Sequence, residues 1–425
     1  MTKHLRVIVG LALRNLQRHL RRTLLTASAM IAGSMLLIFS LSLGDGTHES
    51  WIDSGVRMGS GHVTVESPAF RTTQNIDARL STAARQVAEL ALQNPLLSGD
   101  VSAVSSRMMV TGLASSAAGA RPVKIMGVDP RSEAAFTTLN AQVVEGRYLE
   151  PDDRLAAFVG KQLVDSLDLR LGSRLVLNAQ DVDNDIGGQL VRVVGIFQSG
   201  VPEIDQSLVH IPLSTAGEFL GSRDDVTTIG VLLNDSAAVP RVAQALRQAL
   251  ADPVAAGQVT VLNWREAMPE LAAAVALDDF GNYLVFGILF IIIGFGIVNT
   301  VLMSVLHRHR EFGVLQALGL TPGETGAVVL VEGLVMTAVS GLVGVALGLL
   351  CTWHFFGEGL DFTNLMGEEM TFSGVVIDPV IIPLFRVTRV VHVLLFILSI
   401  GAVSSVYPAI RAASIDVPTA MKFER

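Results

Sequence analysis

The stretch HRHREFGVLQALG, His307–Gly319, decides how the rest of the chain is organised. It follows the apolar run Phe280–Leu306 directly and precedes a second apolar run, Ala327–Trp353. Clustered basic residues at the end of an apolar run mark the cytoplasmic side of a membrane. Apolar residues recur at helical spacing within the stretch, which predicts a short amphipathic helix at that surface. Such a helix is either a solvated connection between two spans or a docking surface for a cytosolic partner.

Composition indicates a membrane protein without a nucleotide or metal site of its own. Of the 425 residues, 50% are apolar and 16% are charged, a balance that soluble domains rarely show. The single cysteine, Cys351, excludes an intrachain disulfide. The histidines form no H-x-x-x-H or Cys/His pattern, and no G-x-x-x-x-G-K-[ST] motif occurs, so we expect no bound metal, and any ATP would be bound by another chain.

Four apolar segments are long enough to cross a hydrocarbon core of ~30 Å. They are predicted at residues 23–43, 280–306, 327–353 and 390–410. Residues 1–22 carry several basic residues and no acidic one, which predicts an amphipathic helix lying on the cytoplasmic leaflet. A signal peptide is the rival interpretation, but the apolar segment is too long and no clear cleavage site follows it.

The charges that flank these segments predict the topology. Basic residues place the N-terminus, the loop 307–326 and the tail 411–425 on the cytoplasmic side, whereas the loop 354–389 is rich in acidic residues. We therefore expect a multi-pass inner-membrane protein with both termini in the cytoplasm. The predicted fold class is a membrane α-helical protein with four transmembrane helices and a large α/β extracytoplasmic domain, 44–279, inserted between helices 1 and 2.

Within this inserted domain, alternating apolar residues predict two hairpins. The first joins 108–113 to 123–128, and the second joins 174–178 to 189–197 through the acidic loop 181–185. Asp77 is expected to cap a helix that runs to about Leu92. Repeated strand and helix units predict mixed sheets with helices on one face. No pattern of catalytic residues stands out, so we predict no enzyme activity for this chain.

Two features of the third span predict contacts inside the membrane. Glu332 lies in the apolar run, where a carboxylate at the bilayer centre costs roughly 2.5–3.5 kcal/mol. It should therefore face protein, with an N-terminal or loop arginine as its partner, in preference to acting as a proton relay. The pair Gly344 and Gly348 permits close approach of a neighbouring helix.

Several stretches resemble the FtsX/MacB superfamily of ABC transporter permeases, and most closely its lipoprotein-releasing LolC/LolE branch. The superfamily motifs are similar to residues 12–26, 310–319 with 331–334, and 407–421, which read ALRNLQRHLRRTLLT, REFGVLQALG with VEGL, and YPAIRAASIDVPTAM. In the inserted domain, residues 127–130, 145–147 and 193–203 resemble the lipoprotein-releasing branch.

The resemblance implies a mechanotransmission (type VII) transporter. Two permeases, as copies or as relatives, would pair in the membrane and bind a separate cytosolic ABC ATPase dimer that holds ATP and Mg. The cargo would be a lipid or lipoprotein, handed to a periplasmic carrier or adaptor, and no feature points to nucleic acid. The outer domain would consist of a porter-like part, 44–129 and 222–279, and an inserted subdomain, 130–221.

Two sets of site residues follow from the resemblance and from the residue pattern. The first set should couple helix 307–326 to the ATPase: Arg310, Glu311, Phe312, Val314, Leu315 and Leu318. The second set should line an apolar substrate cavity between paired subunits, with plain helix packing as the alternative: Met30, Met35, Phe39, Tyr283, Phe286 and Phe290.

Two other functions remain open from the sequence. One is MacB-like export of periplasmic small molecules or peptides with an adaptor. The other is FtsX-like mechanical regulation of a periplasmic hydrolase. The hairpin loop 178–189 is short, acidic and free of proline, unlike the loop with which a lipoprotein-releasing relative docks its carrier, so we do not expect carrier docking by that route.

Overall fold

The computed structural model describes residues 20–222, 225–361, 370–372, 375–377 and 380–416. The chain divides into two compact units. The helical unit comprises Met1–His48, Leu277–Asp361 and Val380–Arg425, and the α/β unit comprises Glu49–Ala276 and Phe362–Pro379. The amphipathic helix predicted over residues 1–22 lies outside the described residues up to position 19.

Four helices in the described part of the chain are long and apolar enough to cross a membrane. They are α1 (Leu20–Met58), α12 (Pro269–His307), α14 (Pro322–Phe356) and α15 (Val387–Ala413). The first two extend well beyond the predicted apolar segments, because the flanking polar sequence also forms helix. In α1, for example, the turns after the apolar run carry the i,i+4 ion pair Asp53–Arg57, with 2.8 Å between Arg57 Nε and the carboxylate.

Small residues set the packing of the helical unit. A Cβ placed on Gly344 would lie 2.6 Å from the carbonyl oxygen of Ile31, and one on Gly348 would overlap Ile38, so α14 packs directly on α1 at both glycines. The predicted close approach at this glycine pair is therefore confirmed. On another face of α14, a Cβ placed on Gly341 would lie 3.0 Å from the Ile397 side chain of α15.

The α/β unit contains a ten-stranded mixed sheet. Its strands run in the order β10-β1-β9-β2-β3-β8-β5-β7-β4, and β6 pairs with β2 and β7. The strand bounds are β1 (Val63–Glu66), β2 (Val101–Ser116), β3 (Gly119–Val128), β4 (Val143–Gly146), β5 (Ala156–Gly160), β6 (Arg174–Gln180), β7 (Ile186–Phe197), β8 (Leu208–Pro212), β9 (Thr228–Leu233) and β10 (Thr260–Asn263).

Shorter helices cover this sheet and connect its strands. The helix bounds are α2 (Phe70–Thr73), α3 (Thr82–Leu92), α4 (Pro95–Ser98), α5 (Pro130–Phe136), α6 (Lys161–Ser166), α7 (Pro202–Ser207), α8 (Leu213–Phe219), α9 (Val239–Ala249), α10 (Ala251–Ala255) and α11 (Trp264–Ala267). Helices α3 and α9 pack on β1, β9 and β10 around a core that includes Val63, Val231 and Leu246. The remaining elements are α13 (His309–Ala317), β11 (Leu360–Asp361), β12 (Met370–Phe372), β13 (Val375–Ile377) and β14 (Val380–Ile381).

Strands β2, β3, β8, β5, β7 and β6 pair in a closed ring, because β6 bonds to both β7 and β2. Side chains such as Ile125, Leu177 and Val209 fill this small barrel. The first half of β2 pairs with β9 and its second half pairs with β6, so one long strand belongs to both the open sheet and the barrel. The sequence predicted mixed sheets with helices on one face, and it did not predict this closed barrel.

Both predicted hairpins are confirmed. Strands β2 and β3 pair from Arg107↔Val128 to Ser116↔Gly119, and β6 and β7 pair from Arg174↔Arg192 to Gln180↔Ile186. The predicted cap at Asp77 is wrong. Asp77 lies in a 3-10 turn whose neighbours Ile76 and Ala78 are buried, and the helix begins later, where the Ser81 hydroxyl accepts a hydrogen bond from the Ala84 amide.

Candidate coupling site

Helix α13 is joined closely to a span at each end. Helix α12 ends at His307, and α13 begins at His309 after a break at Arg308 alone. At the other end, the positive φ of Gly319 turns the chain, and Thr321 and Glu324 form a capping box that starts α14. These short connections leave little freedom for α13 to move independently of the two spans.

The two faces of α13 differ from the predicted pattern. Phe312 is 1% exposed and belongs to the same core as Val301 and Val329 of the neighbouring spans, and Leu315 packs against that core. The prediction that Phe312 packs on an ATPase is wrong, because its ring is already buried within this chain. Val314 and Leu318 are 46% and 77% exposed, so they form the apolar surface that α13 presents.

A buried arginine holds α13 to the third span. The Arg308 guanidinium donates to Glu332 at 3.1 Å and to Glu311 at 2.9 Å, and it lies 4.7 Å above the ring centroid of Phe312. The Arg308 side chain is 7% exposed and that of Glu332 is 13% exposed. Such a pair holds its partners in position, since removing one side leaves an uncompensated charge.

Arg308 is therefore the loop arginine expected for Glu332, although the candidate residues chosen from the sequence did not include it. The sequence signal was the acidic residue in the third span, which required a cation nearby. Among the predicted coupling residues, Glu311 points its carboxylate at Arg308, whereas Arg310 is exposed. The structure thus separates the predicted set into inward-facing and outward-facing members.

The six predicted cavity residues do not form one surface within the chain. Met30 is 2% exposed and packs in the core of the helical unit, so its assignment to a substrate cavity is wrong. The ring of Phe39 lies 5.2 Å from Phe356 of α14. Phe286 and Phe290 instead lie 6.3 and 5.8 Å from Phe396 of α15, between ring centroids. Met35 is half-buried, and Tyr283 is 68% exposed.

Polar contacts join three spans near the opposite end of the helical unit from α13. The Arg389 guanidinium of α15 donates to both carboxylate oxygens of Asp45 in α1, with a shortest distance of 2.7 Å. In the same region, His48 Nε2 lies 2.7 Å from an Asp278 carboxylate oxygen of α12. These contacts fix the relative positions of α1, α12 and α15.

A second buried ionic group lies inside the α/β unit. Arg107 of β2 donates to Glu133 of α5 at 2.7 and 2.8 Å, and both side chains are buried. Burial acts to raise the pKa of Glu133, but Arg107, with smaller contributions from His210 and the Ser105 hydroxyl, lowers it overall. Nearby, burial lowers the pKa of His210 to about 4, so His210 is neutral at pH 7. Its Nδ1 lies 3.4 Å from the Tyr148 hydroxyl.

No three His, Cys, Asp or Glu side chains in the described ranges come together as a metal site requires. Arg107, Arg308 and Arg389 each pair with a carboxylate of the same chain. The geometry of the helical unit is that of a short helix held closely on a bundle of spans.

Two family models match the chain. The MacB-like periplasmic core domain matches residues 23–249, and the FtsX-like permease C-terminal domain matches residues 283–417. Together they cover the first span with most of the α/β unit, and then α13 with the three later spans, the second span from residue 283 onward.

Named relatives agree with these matches. The lipoprotein-releasing system transmembrane protein LolC of Neisseria meningitidis serogroup B is 23% identical over 72% of this chain and 74% of its own length. The macrolide export ATP-binding/permease protein MacB of Brucella abortus is 26% identical over 83% of this chain, but over only 54% of its own length. The permease YknZ of Bacillus subtilis is 24% identical over 56% of both chains.

Solved structures give weaker likenesses to the α/β unit. The extracellular domain of YknZ from Gram-positive bacteria covers 47% of this chain and 99% of its own, at a TM-score of 0.35 and 14% identity. The periplasmic region of MacB from Actinobacillus actinomycetemcomitans covers 50% of this chain and 93% of its own, at the same TM-score and identity.

The first family model alone spans more than half of the chain, and the second accounts for most of the remainder. Four spans, a large α/β domain between the first two, and a short helix between the second and third fit both models. The chain belongs to the FtsX/MacB family of ABC transporter permeases.

Proposed function

We propose that this chain is the permease subunit of an inner-membrane ABC transporter that extracts lipoprotein or another lipidated substrate from the membrane. A separate cytosolic ATPase dimer supplies ATP hydrolysis and binds ATP and Mg, since this sequence has no G-x-x-x-x-G-K-[ST] motif. The LolC relatives, which are named as lipoprotein-releasing and match 72% and 79% of this chain, support the choice of cargo.

The observation that carries this proposal is the fixed attachment of α13. Its exposed side presents Val314 and Leu318, while its other side is held to the spans by Phe312 and Arg308. A docking helix held in this way moves with the spans when a bound ATPase closes. Helix α12 ends beside α13 at His307 and begins at Pro269, and its residues Leu271 and Val275 belong to a core of the α/β unit. Displacement of α13 is thereby transmitted along α12, which is mechanotransmission.

The proposed orientation places α13 and both termini in the cytoplasm and the α/β unit in the periplasm. The basic residues of 1–22 and 307–310 support this orientation through the positive-inside rule. A second permease, either a copy or a relative, completes the complex. The loop between β6 and β7 spans only residues 181–185, so a carrier or adaptor would dock elsewhere on the α/β unit.

Reconstitution tests this function directly. The full chain is purified with the ATPase that co-purifies, placed in proteoliposomes with a fluorescent lipoprotein, and the ATP-dependent release of that lipoprotein is measured. Leu318→Asp should abolish release and leave the permease inserted, because it places a charge in the apolar contact. Leu113→Asp, at an exposed position of β2 in the α/β unit, is the matched control and should retain release. Normal release by Leu318→Asp would reject the coupling role of α13.

The alternative is MacB-like export of small molecules or peptides. The Brucella abortus MacB match favours it, since it covers 83% of this chain. The same proteoliposomes separate the two functions when a macrolide replaces the lipoprotein. Macrolide transport without lipoprotein release would select the alternative.

A further inference from the structure

A cleft of about 400 Å³ lies within the α/β unit. Ligand pockets usually measure about 300–1,000 Å³, so the cleft is large enough for one elongated ligand. Its walls come from the end of α1, the start of α12, helix α2 and helix α7, and its floor comes from β2 and β3. The two chain segments that connect the α/β unit to the first two spans therefore both line it.

The lining combines polar side chains with an apolar part that contains four methionines. Met109 and Met126 are directly opposed on β2 and β3, and Met58 and Met268 stand on the walls. Phe70, which is 3% exposed, and Leu208 complete the apolar surface. Methionine side chains are flexible and polarisable, so such a lining adapts to apolar ligands without a fixed shape.

Charged side chains also line the cleft, and two of them, Glu66 and Arg107, are buried. Arg107 is paired with Glu133. Arg71 is held by Glu66 at 2.6 Å and also bonds to the Ala267 carbonyl, so that pair is internally satisfied. Lys124 and the two carboxylates of Glu203 and Glu270 are exposed, and within the described residues they make no ion pair. A ligand that places an apolar chain in the cleft can therefore leave a polar head of either charge at the edge.

The backbone around the cleft distinguishes between an acyl chain and a peptide strand. Strand β3 is paired on one side with β2 and on the other with β8, and β1 is paired with β9 and β10. The Met109 amide is also used, since it donates to the Thr227 hydroxyl at 2.8 Å. Strands β1 and β3 therefore leave no free edge at the described lining residues for β-augmentation, which is one mode of peptide binding. An acyl chain needs no hydrogen bonds and fits this lining.

We propose that this cleft binds one acyl chain of a lipidated substrate, a subsite that rests on the proposed extraction function. The substrate chain lies over Met109 and Met126, and its polar head lies near Lys124. The end of α1 and the start of α12 form the walls, so movement of either helix relative to the sheet would change the width of the cleft. A displacement transmitted along α12 would therefore widen or narrow the cleft, and widening would release the acyl chain.

Photocrosslinking tests the subsite. The full chain in nanodiscs is incubated with a triacylated lipopeptide that carries a diazirine in one acyl chain, or with phosphatidylethanolamine that carries the same diazirine. After irradiation, labelled peptides are identified by mass spectrometry. We expect the lipopeptide to label residues of β2, β3 and α2.

Substitutions at the cleft sharpen the test. Met109→Trp fills the cleft and should lower labelling there about tenfold, because displacing even two methylenes costs that much affinity. Leu113→Trp lies on the same strand outside the cleft and should leave labelling unchanged. Met268→Gln, outside the sheet, is a second variant that adds polarity with little change in size and should also lower labelling.

The outcomes separate the subsite from the proposed function. Lipopeptide labelling of β2, β3 and α2 that both cleft variants reduce supports the subsite. Labelling by phosphatidylethanolamine but not by the lipopeptide overturns the assignment to a lipidated substrate. An unlabelled cleft overturns the subsite, while ATP-dependent lipoprotein release in proteoliposomes would show that the extraction function still holds.

Discussion

Breaking the contact between Arg308 and Glu332 should loosen α13 in a graded way. In Glu332→Gln, the guanidinium keeps Glu311 at 2.9 Å, and the amide oxygen can still accept a hydrogen bond. The loss is then the charge assistance of one hydrogen bond, on the order of 1–2 kcal/mol. Local opening of α13 should become about tenfold more frequent.

Arg308→Met should have a much larger effect. It removes the shared cation and leaves the Glu332 side chain, which is 13% exposed, without its counter-charge from the loop. Loss of one partner from a buried pair costs about 3–5 kcal/mol, which corresponds to opening on the order of 10²–10⁴-fold more often. The double variant Arg308→Met/Glu332→Leu should recover most of this loss, because apolar replacement of both partners also removes the carboxylate that Arg308 had balanced.

Hydrogen exchange of the full chain in nanodiscs measures these effects at the amides of residues 309–317. We expect exchange at these amides to be slowest in the unsubstituted protein, faster in Glu332→Gln and fastest in Arg308→Met. The double variant should exchange nearly as slowly as the unsubstituted protein. Equal exchange in all four proteins would show that Arg308 does not hold α13 on the spans. A double variant as labile as Arg308→Met would show that the contribution of Arg308 does not pass through Glu332.

Three other perturbations follow from the packing and the buried charges. Gly344→Ala should destabilise the helical unit by about 1–3 kcal/mol, because the added Cβ overlaps Ile31. Gly296→Ala is the control and should be neutral or stabilising, because nothing lies within 4 Å of its added Cβ. Thermal unfolding in detergent compares the two variants, and equal melting temperatures would contradict this packing. The pKa of His210 is about 4 in the folded chain and 6.5 for an unperturbed histidine, so the unfolded chain binds a proton first as the pH falls. The free energy of unfolding should therefore be highest above pH 6.5 and fall by about 3 kcal/mol as the pH drops to 4. Amide exchange at residues 208–212 should show this pH dependence, and His210→Gln should remove most of it. Arg389→Met should lower the melting temperature, because it leaves the Asp45 side chain, 4% exposed, without its cation. Adding Asp45→Asn should restore much of the lost stability. An unchanged melting temperature in Arg389→Met would show that the pair does not hold α1 to α15.

Local patterns in the sequence were sufficient for the spans, the hairpins and the glycine contacts. Alternation predicts β2 with β3 because hairpin partners are neighbours in sequence, and Gly344 and Gly348 predict close approach because no larger residue permits it. Closure of the barrel was not predictable in this way. It depends on β6 reaching back to β2, a pairing such as Leu113↔Asn178 between distant segments, and on one strand serving two sheets.

The direction in which individual side chains point was also beyond the sequence. Phe312 and Leu318 both belong to the apolar pattern of α13, yet one is 1% exposed and the other 77%. The difference arises because the neighbouring spans cover one side of the helix. The burial of Met30 was missed for the same reason, because the helices that cover it are remote in sequence. Glu332 did indicate a buried cation nearby, but the sequence could not choose Arg308 among the available arginines.

Crosslinking from position 318 tests most directly whether α13 is the contact with a nucleotide-hydrolysing partner. Cys351 is the only native cysteine, so Cys351→Ala with Leu318→Cys provides a single reactive thiol on the exposed side of the helix. We predict that a short bifunctional reagent will join this thiol to a co-purifying ABC ATPase, with a yield that changes when ATP is added. Absence of any ATPase adduct from this position, under conditions in which a thiol reagent labels the Leu113→Cys control, would contradict the account.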